Sequence, residues 1–244
     1  MVLERNDSAA ARVITYRFTG TGGSREFQVR LDPQTLAVLP NRAGLLPDWT
    51  RLTFHQCPHC PLDAAAQPEC PVAANLAGIL EQFHDALSSE VTVIAIHTAE
   101  RTVVRRGGLM EGLSGLVGLY MVCSGCPILD RLRPMAFVHL PFASLEETLL
   151  RAASTYLLAQ YFRVRRGRTP DWTLQGLAEL YAAVITVNSA FHGRIVGVQV
   201  ADANLNALFR LDEYAHFANR RLLRERLGSF EEIFRPYWDT NSPA

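Results

Sequence analysis

Cys57-Pro58, Cys60-Pro61, Cys70-Pro71 and Cys126-Pro127 each set a thiol directly before a proline; of the five cysteines only Cys123, followed by serine, departs from this pattern. Proline has no backbone N–H and biases the residue before it toward an extended conformation. That geometry projects a side chain from a turn or from the mouth of a helix. Four thiolates complete a tetrahedral zinc site or hold one iron–sulfur cluster of the 4Fe–4S type. Cys57-x-x-Cys60 offers two sulfurs from one loop, Cys70 follows it, and Cys126 returns from much further along the chain. Cys70 and Cys126 also read as N-cap positions with proline at N1, where the positive helix end favours a thiolate.

The choice between zinc and the cluster stays open. Zinc sites commonly use two short knuckles, which would pair Cys57/Cys60 with Cys123/Cys126 and make Cys123 a ligand in place of Cys70. The Cys-Pro repetition and the scattered third and fourth ligands suit a cluster. His55 and His59 could substitute in either scheme, although His59, inside the loop, is expected to face solvent. Cys57-Pro58-His59-Cys60 also has the residues of a thiol–disulfide oxidoreductase site, but no βαβ pattern surrounds it. Free thiols buried in the core are the plain alternative.

Other constellations carry less. Glu81…His84 and Glu213…His216 have the spacing of a di-iron helical site, with Glu147 and Glu179 as further carboxylates. Glu147, however, is also the second half of a capping box opened by Ser144. The stretch from His139 to Gln160 gathers His139, Arg151, Tyr156 and Gln160, which could line a pocket or serve as satisfied partners at a helix seam. Glu147 and Arg151 are spaced to pair on a helix surface. Arg163 to Arg168 forms a basic loop that reads as a solvated helix end.

Composition narrows the chemistry. With 244 residues the chain makes one large domain or two small ones and can bury a substantial core. All 24 basic residues are arginine, so Schiff-base chemistry, a pyridoxal anchor and a phosphate-loop lysine are excluded. The formal net charge of +0 gives no global attraction to nucleic acid or an anionic membrane. The N-terminus has no signal-peptide core, and the most apolar stretch, Leu109–Val122, is too short to span a bilayer. A cytoplasmic location is expected, where thiols stay reduced and available to metals.

The elements that must position these residues follow from periodicity. Val13–Phe18 and Arg25–Leu31 read as a hairpin around the glycine-rich Thr19–Ser24. Trp49–Phe54 reads as a strand, Pro71 to about Leu87 as a helix, and Val91–His97 with Arg101–Arg105 as further strands. Gly112, Gly115 and Gly118 form a small-residue stripe suited to close packing rather than to phosphate. Helices are expected from Ser144 to Val164, from Thr169-Pro170 to Phe191, over Ala201–Leu227 and over Ser229–Phe234.

The motifs CPHCPLD, ECPVAANL and SGCPILDRLRPMAFVHLPF, with YRFTGTGGSREFQVRL near the start, resemble a bacterial family classed as a domain of unknown function. The resemblance covers nearly the whole chain. It implies cysteines at the places of Cys57, Cys60, Cys70 and Cys126, less strictly at Cys123, and it implies no activity. The expected fold is α+β: a small antiparallel N-terminal sheet followed by a mostly helical region, with residues 1–107 and 108–244 packed as one unit. The expected function is a metal-binding protein whose four-cysteine centre is structural or senses redox state or metal. The alternatives are a metalloenzyme or oxidoreductase using that centre or the His139–Gln160 region, and a protein-interaction module with structural zinc.

Overall fold

Alternation of apolar and polar residues builds the sheet. In β1 (Arg12–Gly20), Ile14, Tyr16 and Phe18 turn inward, and in β2 (Gly23–Leu31) Phe27, Val29 and Leu31 do the same. The computed structural model, which describes residues 10–39, 45–198, 202–224 and 227–238, pairs these strands with Tyr16 opposite Phe27. β3 (Val91–His97) joins the other side of β1, setting Ile94 against Phe18 and Ile96 against Tyr16. β4 (Thr102–Gly108) completes an antiparallel sheet of order β2-β1-β3-β4. A one-residue slip would turn this inner face outward, so the register is fixed by burial.

Helices cover that face. α1 (Pro71–Gln82) buries Val72, Leu76, Ile79 and Leu80 at helical spacing. It ends before the expected Leu87 because Phe83 leaves the helix to stack on Phe27 and meet Phe18 edge-on. The Asn204 amide then donates to the freed carbonyls of Leu80 and Phe83 at 3.3 and 3.0 Å. α2 (Leu109–Val122) follows β4 with no linker, so the boundary at residue 107 is a strand–helix junction inside one continuous hydrophobic core. The glycine stripe does what its spacing suggests. A Cβ on Gly112 would lie 2.7 Å from Ile94 and 2.8 Å from Phe18, so this bare position lets helix and sheet touch. Gly115 faces the Tyr16 hydroxyl, and Gly118 faces Leu211 on a later helix.

After a run of 3-10 turns over Leu129–Val138 come α3 (Leu145–Arg165), α4 (Gln175–Val196), α5 (Asp202–Leu223) and the short α6 (Gly228–Phe234). Ser144 and Glu147 form the expected capping box on α3. That bond engages Glu147, and Arg151 donates instead to the Val138 carbonyl at 3.0 Å, so the surface pair expected between them is not formed. α4 begins at Gln175 rather than Thr169, because the Asp171 carboxylate accepts the N–H groups of Thr173 and Gly176 and holds the intervening segment as a loop. The segment Trp49–Phe54 is a short turn over Asp48–Thr50 with a single bridge from Arg51 to Glu69, not a strand. Its outward carbonyls are taken by an arginine of α4.

Candidate metal centre

The first two cysteines sit on a loop that closes on itself. Leu52 N–H donates to the Pro68 carbonyl and Cys70 N–H to the Thr50 carbonyl, at 2.7 and 2.8 Å, so the loop leaves and returns at one place. His55 takes a left-handed φ of 48°, a costly conformation for a residue with a Cβ, and turns the chain toward Cys57. The Cys60 N–H then bonds the Cys57 carbonyl, making the tight Cys-x-x-Cys turn. Cys70 is the N-cap of α1 with Pro71 in its first turn, as its sequence predicts. Cys126 lies in the turn after α2, its N–H donating to the Ser124 hydroxyl at 3.2 Å, and the backbone N–H groups of Leu129 and Ile128 favour its thiolate. The Asp130 N–H closes one helical turn on the Cys126 carbonyl at 2.8 Å, but the 3-10 segment that follows is capped by Ile128, so Cys126 is not its N-cap.

Cys57, Cys60, Cys70 and Cys126 line one small cavity of about 20 Å³, walled by Val187 and Phe191 of α4. Their sulfurs influence one another: burial first, then the charges of Cys70, Cys60 and Cys126, push the Cys57 thiol up to about 11, against the pull of Arg194. Burial also raises Cys126, against the lowering by the nearby backbone N–H groups of Leu129 and Ile128. All five cysteines are free thiols. Among the described residues no three His, Cys, Asp or Glu side chains stand close enough together to enclose a single ion as they are.

Arg194 is the residue that sequence reasoning missed. Only 2% exposed, it lines the same cavity and donates to the carbonyls of Trp49, Arg51 and Leu52. Its guanidinium also stands over the Phe54 ring, 5.7 Å from the centroid. Among the described residues no carboxylate pairs with it; burial lowers it, and the ionisable groups that counter this are the thiols of Cys70, Cys57 and Cys60. The signal was available, since Arg194 follows Val187 and Phe191 on the apolar face of α4.

The remaining expectations resolve residue by residue. Cys123 is buried at the end of α2, outside the cavity; burial pushes it up to about 12, and its charged neighbours are Arg133 and Asp130. His59 is exposed, yet its ring bonds the Ala183 carbonyl on α4 at 3.2 Å. Cys60 is followed by loop rather than by a helix, so the oxidoreductase geometry is not formed. The di-iron residues are spread apart: His84 bonds the Glu81 carbonyl, His216 pairs with Asp212, and Glu179 accepts from Gln175. Within His139–Gln160, His139 and Arg151 line a second, larger cavity. Tyr156 and Gln160 turn away from it to Asp171, as satisfied partners at a seam.

Fold and site together define an α+β protein in which four cysteines from three segments line one small cavity with a buried arginine. The chain belongs to the family described as a domain of unknown function (DUF6901), whose model matches residues 14–235. No curated protein and no solved structure matches it. Among the described residues no helix is long and apolar enough to cross a membrane.

Proposed function

We propose that this protein is a cytoplasmic metal-binding protein whose Cys57, Cys60, Cys70 and Cys126 hold one centre, with a structural or a redox- or metal-sensing role. The observation that carries the reading is Arg194. A permanently charged guanidinium buried without a carboxylate is costly unless negative charge is supplied nearby. Thiolates around a metal supply it, and four cysteines line the same cavity.

The sulfurs share a cavity without converging on one point. A zinc ion needs all four about 2.3 Å from its centre, whereas a four-iron cube takes one at each of four corners. The Cys-Pro repetition and the scattered third and fourth ligands favour the cluster over zinc. The cavity has no room for a substrate beside the sulfurs, which favours a closed centre over a catalytic one. Cys57, Cys60 and Cys70 are only half-buried, so small oxidants reach them and a sensing role is open to the site. The test is metal and sulfide content in serine variants. Cys57→Ser, Cys60→Ser, Cys70→Ser and Cys126→Ser should each lose most of the metal, and Cys123→Ser should keep it. Equal metal content in all five would contradict the assignment.

A further inference from the structure

Two stripes of α3 are rich in apolar residues, and the protein covers one of them. Leu149, Ala152, Ala153 and Gln160 face inward and are buried. Leu158, Tyr161, Phe162 and Arg165, spaced i, i+3, i+4 and i+7, share the opposite side of the helix over its last turns. Leu158 is 55% exposed, Tyr161 and Phe162 are 47% exposed, and Leu157 and Val164 beside them are exposed as well. Arg165 donates to the Tyr161 hydroxyl at 3.3 Å and so lies along the stripe. The Arg168 N–H returns to the Arg163 carbonyl at 3.0 Å around Gly167, whose φ is 67°, which keeps Arg166 and Arg168 beside the helix end. The next loop is pinned to α3, since the Tyr156 hydroxyl donates to the Asp171 carboxylate at 2.8 Å and the Asp171 N–H donates to the Gln160 side chain at 3.0 Å. It presents Trp172, 57% exposed. From Thr148 to Pro170 the sequence holds no acid, while Arg163, Arg165, Arg166 and Arg168 crowd the end of α3. Asp171, which follows, is engaged by Tyr156, Thr173 and Gly176. The helix dipole favours arginines at a C-terminus, but it leaves the exposed leucine and aromatic side chains unexplained.

From this uncovered stripe and the arginines that end it, we infer that the last turns of α3, with Trp172, dock the protein on an anionic lipid surface. Leu158 and Phe162 enter the acyl boundary, Tyr161 and Trp172 sit at headgroup level, and the arginines reach the lipid phosphates. The chain's net charge of +0 does not oppose this, because salt confines the attraction to charges close to the surface. A second copy of the same face brings no acid to receive the arginines. Nucleic acid offers no apolar phase to Leu158 and Phe162. An anionic bilayer supplies both, and contact in the interface plane needs no membrane-crossing helix.

The experiment is sedimentation of the full chain with vesicles of phosphatidylcholine alone and of equal parts phosphatidylcholine and phosphatidylglycerol, beside gel filtration over a range of protein concentrations. The expected result is binding to the mixed vesicles at least tenfold tighter than to the neutral ones, weakening as salt rises. Leu158→Ser and Phe162→Ser, both at exposed positions, should keep the fold and bind at least tenfold more weakly. Arg165→Gln and Arg166→Gln should each weaken binding about fivefold. Val104→Ser, exposed on β4, should bind like the parent. Equal binding to the two kinds of vesicle, no binding to either, or unchanged binding in a folded Phe162→Ser protein would each overturn the inference. So would a dimer that Phe162→Ser abolishes in a protein that ignores vesicles, or a single-stranded oligonucleotide held more tightly than the mixed vesicles.

Discussion

The guanidinium of Arg194 on α4 stands 2.8 Å from the carbonyl oxygen of Arg51, 143 residues away along the chain. Through this bond and those to Trp49 and Leu52 it ties the start of the cysteine loop to the helical region. The same cation faces the thiols that the loop presents. One side chain thus fixes the loop's position and sets the charge its sulfurs must balance.

Arg194→Met should lower the unfolding free energy of the metal-loaded protein by about 3 kcal/mol, since it strands buried carbonyls. In metal-free protein the cost should be smaller by about 1 kcal/mol or more, because there the wild-type cation lacks its counter-charge. Urea unfolding of both proteins with and without metal measures the difference. An identical cost in the two states would show that Arg194 and the centre are not coupled.

Metal removal should loosen the molecule locally before it loosens globally. Chelation is expected to lower the melting temperature by about 10 °C, the scale of a few kcal/mol in a chain of this size. Hydrogen exchange should rise first at the amides of Cys60 and Cys70, which close the loop, while β1 and β3 keep their protection. Uniform deprotection of the sheet would point to a global rather than a local clamp.

His139 gives a pH dependence whose sign is fixed. Its folded-state value of about 4 lies below the ordinary 6.5, so the neutral ring is the native form. Tyr16 and Arg12 of β1 and Arg151 of α3 are the titratable groups around it. Stability from this residue is complete above pH 6.5 and is lost as pH falls toward 4, because the unfolded chain takes up the proton first. The loss approaches about 3 kcal/mol. His139→Asn should flatten the urea-derived stability curve across that window; an unchanged curve would mean that other groups set it.

Two glycines in helices should respond oppositely to the same change. Gly112→Ala drives a Cβ into Ile94 and Phe18 and should cost about 1–3 kcal/mol. Gly78, exposed on α1, has nothing within 4 Å of an added Cβ. Gly78→Ala should raise stability by about 0.5–1 kcal/mol. Thermal unfolding of the pair decides it, and a stabilised Gly112→Ala would contradict the close sheet–helix contact.

Much of the fold was legible where local pattern and tertiary role agree. Val91–His97 alternates, is bounded by turns, and forms a strand with those limits. Cys70-Pro71 and Ser144…Glu147 carry their helix starts in a few residues. Trp49–Phe54 misleads because its β-rich composition reports burial, whereas its carbonyls are claimed by a distant arginine. Asp171 likewise delays α4 through side-chain bonds that no periodicity records. Of the candidate centre, the four Cys-Pro thiols were readable from spacing, and they share one cavity. Arg194 was marked only by its place after Val187 and Phe191 on the apolar face of α4, and spacing does not record the loop carbonyls it binds.

The most direct measurement is a visible spectrum with metal and sulfide analysis of protein purified without oxygen. The account predicts a brown protein absorbing near 400 nm, with iron and sulfide in equal amounts, and bleaching in the Cys126→Ser variant. A colourless protein holding one zinc would keep the four-cysteine centre and replace the cluster by a structural ion. A colourless protein that contains no metal, and takes up neither iron nor zinc, would contradict the central claim.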